Sequence, residues 1–499
     1  MKKVRCVIVG FITTLCLAGT ALNAVADENA DSIQGAVADG VSGAGRNGKD
    51  SAAIDYILGN RERVVSKTQR EEASLRWWPD GNIGLAWKNG HRTYYAANGS
   101  APVRTTGPLD DIAQTPTAVT VTDRLEEYPY LAGGPVYRDP GSGRLLLFYH
   151  AEIWPGGNAQ TFQSALGLAI STDEQELTFR DLGVFLATNN TDDPVEMCGA
   201  PFIVRDGYFY VYFRDSLASG GENNLAVARA AVDAVVEAAL EGNSVEWKKY
   251  YEGSWTEPGL RGLSSPLETG NPQTRWMSVS YNDYADKIVM IVAQNVSGPD
   301  VNLFMTWSDD GIQWEPRIQL ETGSGESFYP SIVPVGSEPS VSGWLFYVYY
   351  TYSEAGSWDR WSDAIVVRRK LTFCVNDRDC DGLPDDLENT LGTDPLVTDT
   401  DHDGVSDYEE VYWDGNGDLD AYNPTTNPTG TDLDPLNPDT DGDGVRDGFE
   451  VRFGSNPLDP DDTVALPIKG WATALLMILF AGLASGLIGF QRLVRAVRR

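Results

Sequence analysis

Three copies of one acidic loop occupy the last quarter of the chain: DRDCDGLPDDLE (Asp377 to Glu388), DTDHDGVSDYEE (Asp399 to Glu410) and DTDGDGVRDGFE (Asp439 to Glu450). Each places Asp at positions 1, 3, 5 and 9, Gly at 6 and Glu at 12. A hard divalent cation requires this set: several carboxylate oxygens on a tight loop, a glycine at the sharp turn, and a last Glu that can bind through both oxygens. Calcium is the expected ion. The candidate ligands are Asp377, Asp379, Asp381, Asp385 and Glu388 in the first loop. They are Asp399, Asp401, Asp403, Asp407 and Glu410 in the second, and Asp439, Asp441, Asp443, Asp447 and Glu450 in the third. An acidic run is ordinarily a solvated linker, but random acidity does not repeat one register three times.

From Val375 to Asp462 there are 22 Asp and 4 Glu against 3 Arg, a net −23 of the chain's −34. Without cations these carboxylates repel one another, and with cations binding and folding become one event. Paired EF-hands need a helix on each side of every loop. Gly392 and Pro395 fall between the first two loops, and Pro424, Pro428, Pro435 and Pro438 between the second and third, which opposes that arrangement. The spacer GTDP (Gly392 to Pro395) returns loosely as GSNP (Gly454 to Pro457). With these features, residues 374–462 resemble bacterial thrombospondin type 3 repeats. The resemblance implies irregular chain wrapped around a row of calcium ions, with little hydrophobic core and ligands at the positions above. The segment DGNGDLD (Asp414 to Asp420) departs from the pattern, as a degenerate site or an insertion.

The chain ends carry targeting signals. Lys2, Lys3 and Arg5, the apolar run Val7 to Leu22 and Ala24-Val25-Ala26 make residues 1–26 a signal peptide. Residues 27–60, rich in Ala, Gly, Ser and Asp, read as a flexible lead-in. Gly470 to Phe490 carries no charge and is long enough to cross a bilayer, and Arg492, Arg495, Arg498 and Arg499 follow it. Residues 463–499 are therefore expected to form a transmembrane anchor with a basic cytoplasmic tail. This predicts a cell-envelope, single-pass membrane protein with its ectodomain outside. Leu466-Pro467-Ile468-Lys469-Gly470 before the span resembles a bacterial sorting signal, although Lys469 stands where the sortase motif has Thr. A permanent anchor accounts for the same residues. Cys374 and Cys380 bracket the start of the first loop and are candidates for a small disulfide, which leaves Cys198 as a buried apolar residue.

Residues 61–373 read as nearly all β, with one helix near Ala231 to Leu240. A loose repeat of Pro, strand, turn and aromatic strand starts at Gly134-Pro135, Ala200-Pro201 and Tyr329-Pro330. Further units begin near Gly84 and Trp276. Five such units favour a five-bladed β-propeller over a β-sandwich. Ser308-Asp309-Asp310-Gly311-Ile312-Gln313-Trp314 adds a hairpin turn of the Ser-x-Asp-Gly-x-x-Trp type. On these features the middle is similar to the arabinanase and β-fructosidase type of propeller, glycoside hydrolase families 43 and 32. The expected fold is mainly β: a propeller, an irregular calcium-bound segment and one transmembrane helix.

The resemblance implies an acid and a base flanking a glycosidic bond, carried at strand starts, often as Asp before Pro. Gly134 and Ala200 stand at those places. Glu152, Glu196 and Glu326, near other strand ends, are the remaining candidates for catalysis, and His150 lies beside Glu152. Trp77, Trp78, Trp154, Trp255 and Trp358 are candidates for stacking on sugar faces. The expected partners are calcium, a polysaccharide or other glycan, and the membrane. The charge of −34 disfavours nucleic acid. Two readings of the head follow, a glycoside hydrolase-like enzyme and a non-catalytic adhesion or carbohydrate-binding protein.

Overall fold

The computed structural model describes residues 54–462, apart from 125–127, 155–161, 190–195, 217–223, 271, 298–299, 355–362 and 416–418. The signal peptide, most of the lead-in, and the apolar span with its basic tail lie outside the described residues. Among the described residues no helix is long and apolar enough to cross a membrane. The chain divides into two compact units, one ending at Val375 and one beginning at Asn376.

The first unit is built from consecutive antiparallel strands. Gly84–Lys88, His91–Ala97, Pro102–Thr106 and Gln114–Ala118 form one sheet. A second holds Tyr130–Arg138, Leu145–Ile153, Gln163–Ser171 and Thr178–Ala187, with Thr120–Thr122 added in parallel at its far edge. A third runs Phe202–Arg205, Tyr208–Asp215, Asn224–Ala231, Lys248–Tyr251 and Ser254–Pro258. The expected helix is inserted in it as Val232–Glu241, stopped by Gly242 at φ 86°. The remaining sheet contains two antiparallel groups, Thr274–Asn282 through Ile318–Gln319 and Glu326–Pro334 through Ile365–Phe373. They are joined by two short parallel pairings, Val301↔Glu326 and Tyr281–Asn282 with Val341–Ser342.

The first strands of all five groups meet. Leu85, Val136, Phe202, Val279 and Ile332, one from each, line a common cavity of about 540 Å³. Closure comes from the chain's own start: Tyr56–Leu58 and Glu62–Val65 pair antiparallel with Ile365–Phe373. The lead-in therefore ends sooner than expected. Ile54 is buried and Tyr56 and Leu58 half-buried while Ile57 is exposed, an alternation that suits a strand with one covered face.

The Ser308 turn behaves as a structural element. Ser308 Oγ accepts from the Gly311 amide at 2.8 Å, Asp310 Oδ1 accepts from the Ile312 and Gln313 amides at 2.8 Å, and Trp314 packs edge-on to Tyr212.

In the second unit each acidic loop is followed by one short helix: Asp385–Leu391, Asp407–Val411 and Asp447–Phe453. Among the described residues no helix leads directly into a loop, unlike the helix–loop–helix of an EF-hand. Its buried apolar residues are few, Leu383, Val405, Val411 and Leu433. Cys374 and Cys380 are both disulfide-bonded, and Cys198 is free and buried.

Candidate metal loops and axial mouth

Each acidic loop is folded by its own carboxylates before any ion is considered. The position-1 Asp bridges two amides ahead of it. Asp377 takes Cys380 and Gly382 (2.7 and 3.0 Å), Asp399 takes Asp403 and Gly404 (3.2 and 3.0 Å), and Asp439 takes Gly442 and Gly444 (3.0 and 2.9 Å). The turn at position 6 needs glycine, because Gly382, Gly404 and Gly444 sit at φ 111°, 105° and 97°. In each loop one ligand atom from positions 1, 3 and 5 gathers within 4.8 Å of the others.

The position-12 glutamates show what the loops are built to hold. Glu388, Glu410 and Glu450 are completely buried, and both carboxylate oxygens of each find no hydrogen-bond partner. One oxygen of Asp401 and one of Asp441, at position 3, are in the same state. Burial, then the neighbouring aspartates, pushes Glu388 up to about 8, Glu410 up to about 10 and Asp401 up to about 7. Unpaired buried carboxylates facing one another are expensive. A divalent cation held by positions 1, 3, 5 and 12 relieves both the desolvation and the repulsion, so the residues present fit such an ion.

Position 9 also has a structural task. Asp385, Asp407 and Asp447 accept from the position-2 amides of Arg378, Thr400 and Thr440 at 3.0, 2.8 and 2.9 Å. They clip the loop shut as the helix begins. Successive loops are also linked: Asp381 Oδ2 accepts from the Tyr408 amide at 3.2 Å, and Asp403 Oδ2 from Gly448 at 2.8 Å. In the divergent stretch, buried Asp432 takes the amides of Asp414 and Asp420 at 3.0 and 2.9 Å.

The first unit presents a second constellation where its first strands begin. Asp80 accepts from the hydroxyls of Tyr130 (2.7 Å) and Tyr329 (2.9 Å). Tyr130 stands edge-on to His150, His150 lies 6.0 Å from Trp276 between ring centroids, and Trp276 stands edge-on to Tyr329 at 4.7 Å. These contacts close a ring. Glu152 and Glu196 attach to it through indole N–H groups, Glu152 accepting from Trp154 at 2.7 Å and Glu196 from Trp276 at 3.0 Å.

His150 is buried and donates Nδ1–H to the Cys198 carbonyl at 2.7 Å, and its Nε2 lies 3.5 Å from Glu152. Burial lowers its pKa, but the Glu152 carboxylate, the charge of Glu196 and the Cys198 carbonyl outweigh that and hold it above the ordinary imidazole value. Cys198 and Tyr329 sit at φ 66° and 56°. This left-handed backbone costs a non-glycine residue roughly 1–3 kcal/mol and is concentrated at functional sites.

The floor of the ring is backbone packed to contact. Asn82 donates to the carbonyls of Met277 and Pro330, both at 2.8 Å, and its Oδ1 is buried without a partner. A Cβ on Gly199 would lie 2.0 Å from that oxygen, and one on Gly84 would lie 2.2 Å from the Gly134 carbonyl. A side chain at Gly84 or Gly199 would clash, whereas a Cβ on Gly134 would meet nothing nearer than 3.3 Å, and Asp80 already brings a carboxylate to the start of the first strand.

Two of the three candidate glutamates, Glu152 and Glu196, come together at this mouth. Glu326 does not join them; it pairs across its strand with Ser353 and Val301. Trp154 belongs to the mouth, whereas Trp78 is fully buried core, Trp255 packs on Tyr210 and Tyr250, Trp77 is exposed, and Trp358 lies outside the described residues. Sequence reasoning missed Asp80, Tyr130, Asn82 and the part Trp276 plays. The one available signal was an Asp just after Trp78-Pro79 and ahead of the first strand.

A family model for the bacterial TSP3 repeat matches residues 377–398, 399–412 and 439–460, so the C-terminal unit carries these repeats. No curated protein matches the chain. Its structural neighbours include glycoside hydrolases of families 62 and 43. The catalytic domain of the Coprinopsis cinerea GH62 alpha-L-arabinofuranosidase is 8% identical, covering 64% of this chain and 97% of that one, with a TM-score of 0.40. The Podospora anserina alpha-L-arabinofuranosidase PaAbf62A, solved with cellotriose, is 10% identical over 58% and 90%, at 0.38. The family 43 YxiA protein of Bacillus licheniformis is 14% identical over 59% and 73%, at 0.37.

Proposed function

We propose that the protein is an exported, membrane-tethered surface protein whose calcium-bound repeats carry a glycan-binding head. The observation that carries the calcium reading is the set of three buried position-12 glutamates with both oxygens unsatisfied. Positions 1, 3, 5 and 12 hold the ion, and position 9 shapes the loop. The five strand groups act as five propeller blades about the shared cavity.

Glycan binding without hydrolysis is the reading of the head that the geometry supports best. Acid–base catalysis on a glycoside needs two carboxylates in contrasting environments. Here Glu152 and Glu196 are each fixed by an indole N–H, Asp80 is held by two tyrosine hydroxyls, and glycine and alanine stand at Gly134 and Ala200. Of the aromatic side chains there, Tyr130 and Trp154 are partly exposed and can meet a sugar face. The signal peptide and the apolar span supply export and tethering.

Two experiments test this reading. Calorimetry on the full-length protein is expected to show calcium binding at three sites or more, abolished by chelator. A glycan screen of the same protein is expected to show binding without products. Released sugar that disappears in both Glu152→Gln and Glu196→Gln would overturn the non-catalytic reading.

A further inference from the structure

The helix of the third acidic loop, Asp447–Phe453, is seated on one side and bare on the other. Its Gly448 amide is bonded to Asp403 of the preceding loop, and Asp447 and Glu450 are fully buried. The bare side carries Phe449, Arg452 and Phe453, which the helical spacing i, i+3 and i+4 brings side by side. Both rings are exposed, at 41% and 40%, and they lie against each other with centroids 4.4 Å apart. Arg452 is exposed beside them, 6.0 Å from the Phe453 ring centroid. The first loop differs, because its corresponding pair, Leu387 and Leu391, is half-buried. In the second loop an exposed acid, Glu409, stands where Phe449 does.

Area and position decide what covers this face. Two phenyl rings exposed to this degree offer on the order of 150 Å² together, against the ~800 Å² that each side of a stable protein interface contributes. A second copy of the chain needs more surface than the face presents. The position points to lipid. Only residues 463–469 separate Asp462 from the uncharged run Gly470 to Phe490, and seven residues reach at most about 25 Å. With that run in a bilayer, Asp447–Phe453 is the last helix before the membrane, and so short a tether keeps even a weak contact engaged. The side chains match as well: rings enter the boundary between headgroups and acyl chains, and a guanidinium beside them meets lipid phosphate. The acidic repeats give anionic lipid no advantage, so the surface required is a zwitterionic one.

We infer that Phe449 and Phe453 form a membrane foot, with the third helix resting on the lipid surface, both rings in the interface and Arg452 at the level of the phosphates. This rests on the membrane-tethered reading above.

The test uses the full-length, calcium-saturated protein reconstituted in phosphatidylcholine vesicles, with one environment-sensitive fluorophore on Phe449→Cys, Phe453→Cys or Val451→Cys. Val451 is the internal comparison, exposed at 44% on the other flank of the same helix. Cys198 is buried, Cys374 and Cys380 are disulfide-bonded, and Cys6 and Cys16 belong to the signal peptide, so the introduced thiol is the one that reacts. An unchanged calcium stoichiometry shows that each variant is folded. A lipid-borne nitroxide near the headgroup is expected to quench the labels at Phe449 and Phe453 about threefold or more above the label at Val451, as side chains about 5–10 Å into the boundary require. Aqueous iodide is expected to show the reverse order. Equal quenching of all three labels by iodide, with the protein in the vesicles, overturns the inference and leaves the tether standing. Protection from iodide without quenching by lipid also overturns it, because it places another protein surface on the face. Protein that stays out of the vesicles overturns both.

Discussion

The amide of Gly448 donates to Asp403 Oδ2 at 2.8 Å, joining the third acidic loop to a predicted ligand of the second. The approach is so close that a Cβ on Gly448 would lie 2.4 Å from the Asp403 carbonyl oxygen. A substitution in one repeat should therefore be felt at its neighbour's metal site. Gly448→Ala is expected to weaken calcium binding at the second loop by on the order of tenfold, or about 1.4 kcal/mol. Site-resolved titration by NMR of the Asp399 to Glu410 amides measures this. An unchanged second-loop affinity would show that the loops are independent.

The buried glutamates allow a direct count of sites. Glu410→Gln removes a charge from the most strongly perturbed of them while keeping its shape. The bound-calcium stoichiometry is expected to fall by one, and resistance of the second unit to proteolysis in calcium should fall with it. Without calcium the same substitution relieves repulsion, so the metal-free form of the variant is expected to be more stable than the metal-free parent.

His150 gives the head a pH dependence of defined sign. Its folded pKa lies above the ordinary 6.5, since burial is outweighed by Glu152, Glu196 and the Cys198 carbonyl. Its protonation therefore contributes stability that is fully present below pH 6.5 and is lost as pH rises through the folded value. The melting temperature of the head, followed from pH 5.5 to 8.5, is expected to fall more steeply in the parent than in His150→Gln. Parallel curves would mean that the imidazole stays neutral throughout.

Gly199 and Asn82 compete for one volume. Gly199→Ala places a methyl 2.0 Å from Asn82 Oδ1 and 2.9 Å from the Trp276 ring, and is expected to destabilise the head by about 1–3 kcal/mol. Shortening the other partner should restore part of that loss. The double variant Gly199→Ala, Asn82→Ala is expected to show a favourable coupling of about 0.5–3 kcal/mol in a denaturation cycle. Additive losses would mean that the methyl is accommodated elsewhere.

The acidic loops were legible from sequence because their chemistry is local. Ligand spacing, turn glycine and helix start all fall within twelve consecutive residues, so Asp377 to Glu388 reads as a unit. What spacing did not show was a second task inside it: Asp385, a candidate ligand, also accepts from the Arg378 amide and so closes the loop. The strands were legible through alternation and turn residues, and the helix at Val232–Glu241 through its period and its terminal Gly242.

The mouth was largely illegible, because its members come from five separate strand groups. Asp80 and Tyr329 are 249 positions apart in the chain, yet hydrogen-bonded. Nothing local to either residue announces that contact. Glu152 and Glu196 were found because they flank strands; Glu326 shared that signal and belongs to another place. The N-terminal strand was missed for the same reason. Tyr56–Leu58 is short, and its partner Ile365–Phe373 lies at the other end of the unit.

That pairing has a mechanical meaning. The chain leaves the head at Phe373, so any pull transmitted through the acidic repeats is delivered to the end of Ile365–Phe373. That strand is gripped on both flanks, by Leu345–Ser353 on one side and by the two N-terminal strands on the other. The Cys374 amide adds a bond to the Asp55 carbonyl at 2.9 Å, next to the point of loading. Peeling the strand away means rupturing two ladders together rather than unzipping one.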